Sequence, residues 1–120
     1  MGYEIKLIIG KECHADHGRY FQIMAEINMC KVGADSHILE TDYENKTGTP
    51  LVYWYGYNGD TEINKDRYDM MPKPVPITEM HEAVFYDIQN DDYRRFQWAH
   101  ALLSSMKDDT EGLSVLVYGY

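Results

Sequence analysis

Residues 51–60, which read L-V-Y-W-Y-G-Y-N-G-D, constrain the fold more than any other part of the chain. Side chains alternate between two faces along a β-strand, so Tyr53, Tyr55 and Tyr57 share one face. Asn58-Gly59 follows directly. This pair is the strongest short-range hairpin signal, because both residues accept a positive φ. The segment therefore predicts a strand that turns back on itself.

A two-residue loop at Asn58-Gly59 also sets the register of the returning strand. It predicts Tyr55 opposite Glu62 and Trp54 opposite Ile63. The tryptophan side then belongs to the core, and the tyrosine side faces polar partners. We expect an earlier strand to add Tyr20 to this second face. The candidate binding residues are therefore Tyr53, Tyr55, Tyr57, Tyr20 and Glu62.

Three interpretations of this tyrosine face remain open. Cross-strand aromatic pairs stabilise sheets by ~0.2–1 kcal/mol each, so the face could be ordinary sheet packing. Tyrosine is also enriched at protein interfaces, because it combines an apolar ring with a polar tip. A stacking platform for a nucleotide-like ligand is the third interpretation.

The first half of the chain predicts two half-buried strands, at residues 3–9 and 20–30, because apolar and polar residues alternate there. Polar residues 10–19 are predicted to connect them. Residues 31–50 show no sustained period and predict a long loop, with a helical turn near residues 35–39. The predicted apolar face of the second strand consists of Phe21, Ile23, Ala25, Ile27 and Met29.

The second half predicts two helices and a final strand. Alternate prolines in residues 72–76 predict an extended spacer. Thr78 is the predicted N-cap of the first helix, and Asn90 or Asp91 opens the second. Residues 113–118 are apolar on both faces and predict a central strand. The predicted buried stripes are Met80, Ala83, Val84 and Ile88, then Phe96, Ala99, Leu103 and Met106.

This order, β-β-loop-β-β-α-α-β, predicts a single α+β domain over residues 1–120. Such segregation of strands and helices is typical of a mostly antiparallel sheet with helices on one face. We expect about five strands and two packed helices from the C-terminal half. Because the helices cover only one face, the tyrosine face is expected to stay exposed.

Charge and composition exclude some classes of function. The chain has 20 acidic and 11 basic residues, a net charge of −9. This balance disfavours direct nucleic-acid binding, which needs clustered Lys and Arg. No apolar run approaches the ~18 residues of a membrane span, and the first residues show no basic stretch followed by an apolar run, so we expect no signal peptide. The two cysteines suit a reducing compartment, so we expect a cytoplasmic protein that does not bind a membrane.

Residue types suited to catalysis are present but form no signature. His14, Asp16 and His17 are the weak candidates for a metal site, and they would make it exposed and incomplete. No family-like pattern surrounds either cysteine. The sequence therefore favours a protein without a cofactor and without catalytic residues.

Four blocks resemble small proteins of tailed phages and prophages. They are residues 19–31 (R-Y-F-Q-I-M-A-E-I-N-M-C-K), 58–68 (N-G-D-T-E-I-N-K-D-R-Y), 92–96 (D-Y-R-R-F) and 113–120 (L-S-V-L-V-Y-G-Y). The resemblance implies a phage origin, a site of action in the host cytoplasm and no catalytic residues.

The leading hypothesis is a non-enzymatic protein that binds and modulates a host protein, such as an anti-defence inhibitor in host takeover. It rests on the acidic charge and the tyrosine face. The alternatives are a binder of a small nucleotide-like ligand through the same tyrosines, and a metal-dependent hydrolase. A homodimer through the sheet face also stays open.

Overall fold

The described part of the chain forms an α+β fold, in which two long helices pack on one face of a β-sheet. We analysed a computed structural model. It describes residues 2–15, 18–41, 54–56, 61–62, 67–68, 74–108 and 112–120. The predicted fold class is confirmed.

The sheet has six strands within the described residues, in the order β4-β3-β2-β1-β6-β5. All neighbouring pairs are antiparallel except β2 and β3. The strands are β1 Gly2–Ala15, β2 Gly18–Gly33, β3 Trp54–Gly56, β4 Thr61–Glu62, β5 Val75–Pro76 and β6 Ser114–Gly119. The helices are α1 His37–Leu39, α2 Ile77–Asn90 and α3 Arg94–Met106.

The hairpin of β1 and β2 is longer than predicted. Pairing continues to Ala15 opposite Gly18, so most of residues 10–19 belongs to strands and the predicted polar connection there is wrong. A two-stranded ladder satisfies the backbone donors and acceptors of both strands. Polar side chains are compatible with it when they lie on a solvated face.

A β-bulge in β2 divides its predicted apolar face. Ile9 pairs with Ala25, but the next residue, Gly10, pairs with Ile23, so Met24 has no partner in the register. A bulge inserts one residue and thereby reverses the facing of everything beyond it. Consequently Ala25 packs against the helix-side core, whereas Ile23 and Phe21 belong to a cluster on the other face. The prediction of one continuous face is wrong.

The larger core lies between the sheet and the long helices. All predicted stripe residues of α2 and α3 are buried or pack partly buried against this core, as predicted. Its most deeply buried members are Ile5, Leu7, Ile9, Met29, Ile38, Met80, Val84, Ala99, Leu103, Val115 and Val117.

Both helices begin at residues other than the predicted ones. Residues Val75–Pro76 form an edge strand on β6, and the Ile77 N–H donates to the Leu113 carbonyl at 3.2 Å. Strand pairing therefore keeps the chain extended up to Pro76, and Thr78 lies inside the helix instead of capping it. The second helix begins at Arg94, later than predicted.

The second face of the sheet is covered around a small apolar cluster. Ile8, Phe21, Ile23 and Leu116 are all buried, with Tyr118 packed against them. Both long helices lie on the opposite face, so the expectation that the helix-free face is exposed is wrong for this part of the sheet. By contrast, the prediction of a central final strand is confirmed, because β6 lies between β1 and β5.

The register of β3 and β4 differs from the predicted one by one residue. Trp54 pairs with Glu62 and Tyr55 with Thr61, so the predicted Tyr55–Glu62 pair is wrong. Loop length sets the register of a hairpin, and the observed pairing is not the one that a two-residue loop at Asn58-Gly59 predicts. Here β2 holds β3 along its other edge.

Candidate binding site

Of the predicted tyrosine-face residues, the structure describes the backbone of Tyr20, Tyr55 and Glu62, at the β3 end of the sheet. Tyr55 lies in β3, opposite Phe21 of β2. Tyr20 lies opposite Trp54. The register places Tyr20 and Tyr55 at neighbouring positions along strands β2 and β3. Glu62 lies in β4, and Tyr53 and Tyr57 lie outside the described residues.

The weak metal candidates lie at the tip of the first hairpin. His14 is part of β1, opposite Arg19, whereas Asp16 and His17 lie outside the described residues. Among the residues that are described, no three His, Cys, Asp or Glu side chains are arranged to hold a metal ion.

A buried carboxylate connects helices α1 and α2. Asp87 of α2 is only 4% exposed. Its Oδ2 accepts hydrogen bonds from the Ser36 hydroxyl at 2.6 Å and from the Ile38 N–H at 3.4 Å. Its Oδ1 accepts from the His37 N–H at 2.7 Å and lies 3.1 Å from His37 Nδ1. A buried charge is stable only when it is hydrogen-bonded in this way.

The contacts of Asp87 indicate an anchor for α1. A carboxylate on Nδ1 can orient a histidine as a general base. Nucleophilic catalysis would also require a hydrogen bond from the serine hydroxyl to a nitrogen of the imidazole ring. The Ser36 hydroxyl instead donates to Asp87, and Ser36 Oγ accepts from the Ile38 N–H at 3.3 Å as the N-cap of α1. The network therefore ties α1 to α2.

Two cavities meet at His37. One of about 210 Å³ lies between α1 and the first half of α2, and one of about 350 Å³ lies between the β2–α1 connection and the end of α2. Together we call them the acidic groove. No Lys or Arg is found among its described lining residues. Six carboxyl side chains line it: Glu40, Glu79 and Glu82 in the first cavity, and Asp35, Asp87 and Asp91 in the second.

A row of five rings crosses α2 beside the acidic groove. We call it the aromatic ridge. The separations between neighbouring ring centroids are 4.5 Å for His81–His100, 5.9 Å for His100–Phe85, 6.2 Å for Phe85–Tyr86 and 5.5 Å for Tyr86–His37. Phe85 is 45% and Tyr86 43% exposed. The ridge therefore presents two large side chains to solvent and ends at the histidine that lines both cavities.

The two histidines at the far end of the ridge connect α2 to α3. His81 Nε2 lies 2.8 Å from the Ser104 hydroxyl. Burial, with a smaller contribution from neighbouring His100, lowers the pKa of His81 below its usual value of 6.5. Both effects disfavour the imidazolium form of His81, so its ring favours the neutral form.

Sequence reasoning missed the acidic groove and the aromatic ridge. Part of the ridge had a readable signal, since Phe85 and Tyr86 fall outside the apolar stripe of α2 and must point away from the core. The groove had no such signal, because its carboxylates come from two separate parts of the chain, residues 35–40 and residues 79–91. Spacing along one segment cannot reveal their proximity.

The chain has no match among protein-family models, curated proteins or solved structures. In the portion that the structure describes, no helix combines the length and the apolar character that crossing a membrane requires.

Proposed function

We propose that this chain is a non-enzymatic binding protein of the phage type, which modulates a host protein, and that it binds this partner through α2. The observation that carries the proposal is the aromatic ridge beside the acidic groove. Large exposed apolar side chains rimmed by polar groups are typical of interaction sites.

The residue types of this surface support a protein partner. Aromatic residues are enriched at interfaces and dominate their binding energy. Here Phe85 and Tyr86 lie side by side on a helix whose opposite face is packed in the core. A rigid surface loses little conformational entropy on binding.

The anchor at Asp87 supports the same function. It holds α1, and with it Glu40 and His37, against α2 through three backbone or hydroxyl donors. Ser36, His37 and Asp87, whose side chains resemble a catalytic set, are therefore hydrogen-bonded to one another and hold α1 against α2. This arrangement favours recognition over chemistry.

A nucleotide-like ligand is disfavoured at this surface. Phosphate groups carry negative charge, and carboxylates at short range repel them. The six carboxyl groups of the acidic groove would therefore oppose such a ligand.

Capture from bacterial lysate with matched baits tests the proposal. The baits are the wild type, the double variant Phe85→Ala/Tyr86→Ala, and Trp98→Ala as control. Trp98 is also exposed, by 52%, but its ring lies 5.6 Å from Arg95 and outside the ridge. We expect a specific partner with the wild type and the control, and its loss with the double variant.

A fourth bait separates this surface from the predicted tyrosine face. It replaces Tyr53, Tyr55 and Tyr57 with Ala. Loss of the partner in this variant alone would move the binding site to the sheet. A partner retained by every variant, or no reproducible partner at all, would contradict the proposal.

A further inference from the structure

We infer that the partner binds α2 with a basic segment, in which an apolar side chain packs on the aromatic ridge and an arginine side chain enters the acidic groove. This inference rests on the proposed function and specifies the chemistry of its partner.

Charge complementarity identifies the occupant as cationic. The acidic groove has six carboxyl groups and no Lys or Arg among the described residues that line it. Its first cavity combines Glu79 and Glu82 of α2 with Glu40, the residue that caps the C-terminus of α1. A cation placed there faces negative charge from both sides of the cavity, whereas an anion is repelled from both.

The ring at the cavity favours arginine over lysine. Tyr86 lines the first cavity, and its hydroxyl donates to Glu82 Oε1 at 3.3 Å. This contact places an aromatic ring beside a carboxylate. A guanidinium group is planar, so it can stack on the ring and bind a carboxylate with two donors. A lysine ammonium is a compact charge and uses only part of this arrangement.

The same charges disfavour a second copy of the chain. Each copy carries a net charge of −9, and pairing two copies through this face would bring together two sets of glutamates. Like charges across an interface suppress the wrong partner. A basic segment has no such cost.

Three synthetic peptides that differ only in their charged positions test the inference. Each is a short amphipathic helix with a leucine stripe, flanked by arginine in the first, lysine in the second and glutamate in the third. Their affinities for the wild-type chain are measured by fluorescence anisotropy at physiological ionic strength. We expect the arginine peptide to bind best, the lysine peptide more weakly, and the glutamate peptide not at all.

Two charge-matched variants exclude a general attraction to the acidic chain. Glu79→Gln/Glu82→Gln removes two charges from the acidic groove. Glu12→Gln/Glu26→Gln removes two charges from strands β1 and β2, at positions paired with the second-face residues Phe21 and Ile8. The groove variant should bind the arginine peptide with about tenfold lower affinity than the wild type. The sheet variant should lower the affinity for this peptide by less than about twofold.

Three results would overturn the inference: equal weakening by both variants, equal binding of arginine and glutamate peptides, or no binding of the arginine peptide. The proposed function fails separately. If Phe85→Ala/Tyr86→Ala abolishes capture of a partner but Glu79→Gln/Glu82→Gln does not, the surface is right and the basic chemistry is wrong.

Discussion

Replacing Asp87 tests the anchor that holds α1 in place. The carboxylate has two short hydrogen bonds, 2.6 Å to the Ser36 hydroxyl and 2.7 Å to the His37 N–H, and a longer one of 3.4 Å to the Ile38 N–H. Asp87→Ala removes the acceptor from all of them. In a buried site, each donor left without a partner costs about 1–3 kcal/mol.

The two short hydrogen bonds dominate the expected loss. Asp87→Ala should lower the free energy of unfolding by about 3–5 kcal/mol, because one buried and one partly buried donor lose their acceptor. Asp87→Asn keeps one oxygen, so about 1–3 kcal/mol is expected. The exposed neighbour Asp92 provides the control. Asp92→Asn should change stability by less than about 0.5 kcal/mol.

Urea unfolding followed by circular dichroism measures these differences. A double-mutant cycle of Asp87→Ala with Ser36→Ala adds a test of mechanism. If the two side chains bond as described, the double variant should lose less stability than the sum of the single variants. A loss below about 1 kcal/mol for Asp87→Ala, or strict additivity in the cycle, would refute the anchor.

Three further variants test packing, titration and a long-range hydrogen bond. Gly10→Ala should lower stability by about 2–3 kcal/mol, because its new Cβ would lie 1.9 Å from the Gln22 carbonyl oxygen; urea unfolding measures the loss. The lowered pKa of His81 means that the unfolded state binds its proton more tightly. Its contribution to stability is therefore present above a pH of about 6.5 and is lost as the pH falls through the folded pKa. The fall in Tm between about pH 8 and about pH 5 should thus be smaller in His81→Gln than in the wild type. Tyr93→Phe should lower the free energy of unfolding, measured by urea denaturation, by about 1 kcal/mol. The reason is that the Tyr93 hydroxyl donates a hydrogen bond to the Met29 carbonyl at 3.0 Å.

Each of these predictions has a contradicting result. Wild-type stability in Gly10→Ala would show that the β1–β2 pairing is not as close as described. Parallel pH profiles for the wild type and His81→Gln would remove His81 as a cause of acid sensitivity. An unchanged unfolding midpoint in Tyr93→Phe would mean that water replaces its hydrogen bond without cost.

Helices α2 and α3 were predictable because their apolar residues repeat at helical spacing. Each helix therefore has one apolar stripe, which it buries against the core. The final strand was predictable from its apolar character on both faces. The alternation in residues 20–30 does not locate the bulge in β2, because Ile23, Met24 and Ala25 are all apolar and any of them fits a buried face. Gly10 of the partner strand was the one local hint, since a glycine inside a strand often marks a bulge or a close backbone approach.

The sequence by itself determined the α+β class, the two helices, the central strand and the acidic charge, because each depends on local periodicity or composition. Only the tertiary structure decided the register of β3, the covered second face and the meeting of Asp87 with Ser36 and His37. The Asp87 contacts join residues 50 and 51 positions apart, and the other two features also depend on contacts between separate elements of the chain. Such contacts arise from the packing of whole elements, which no local pattern specifies.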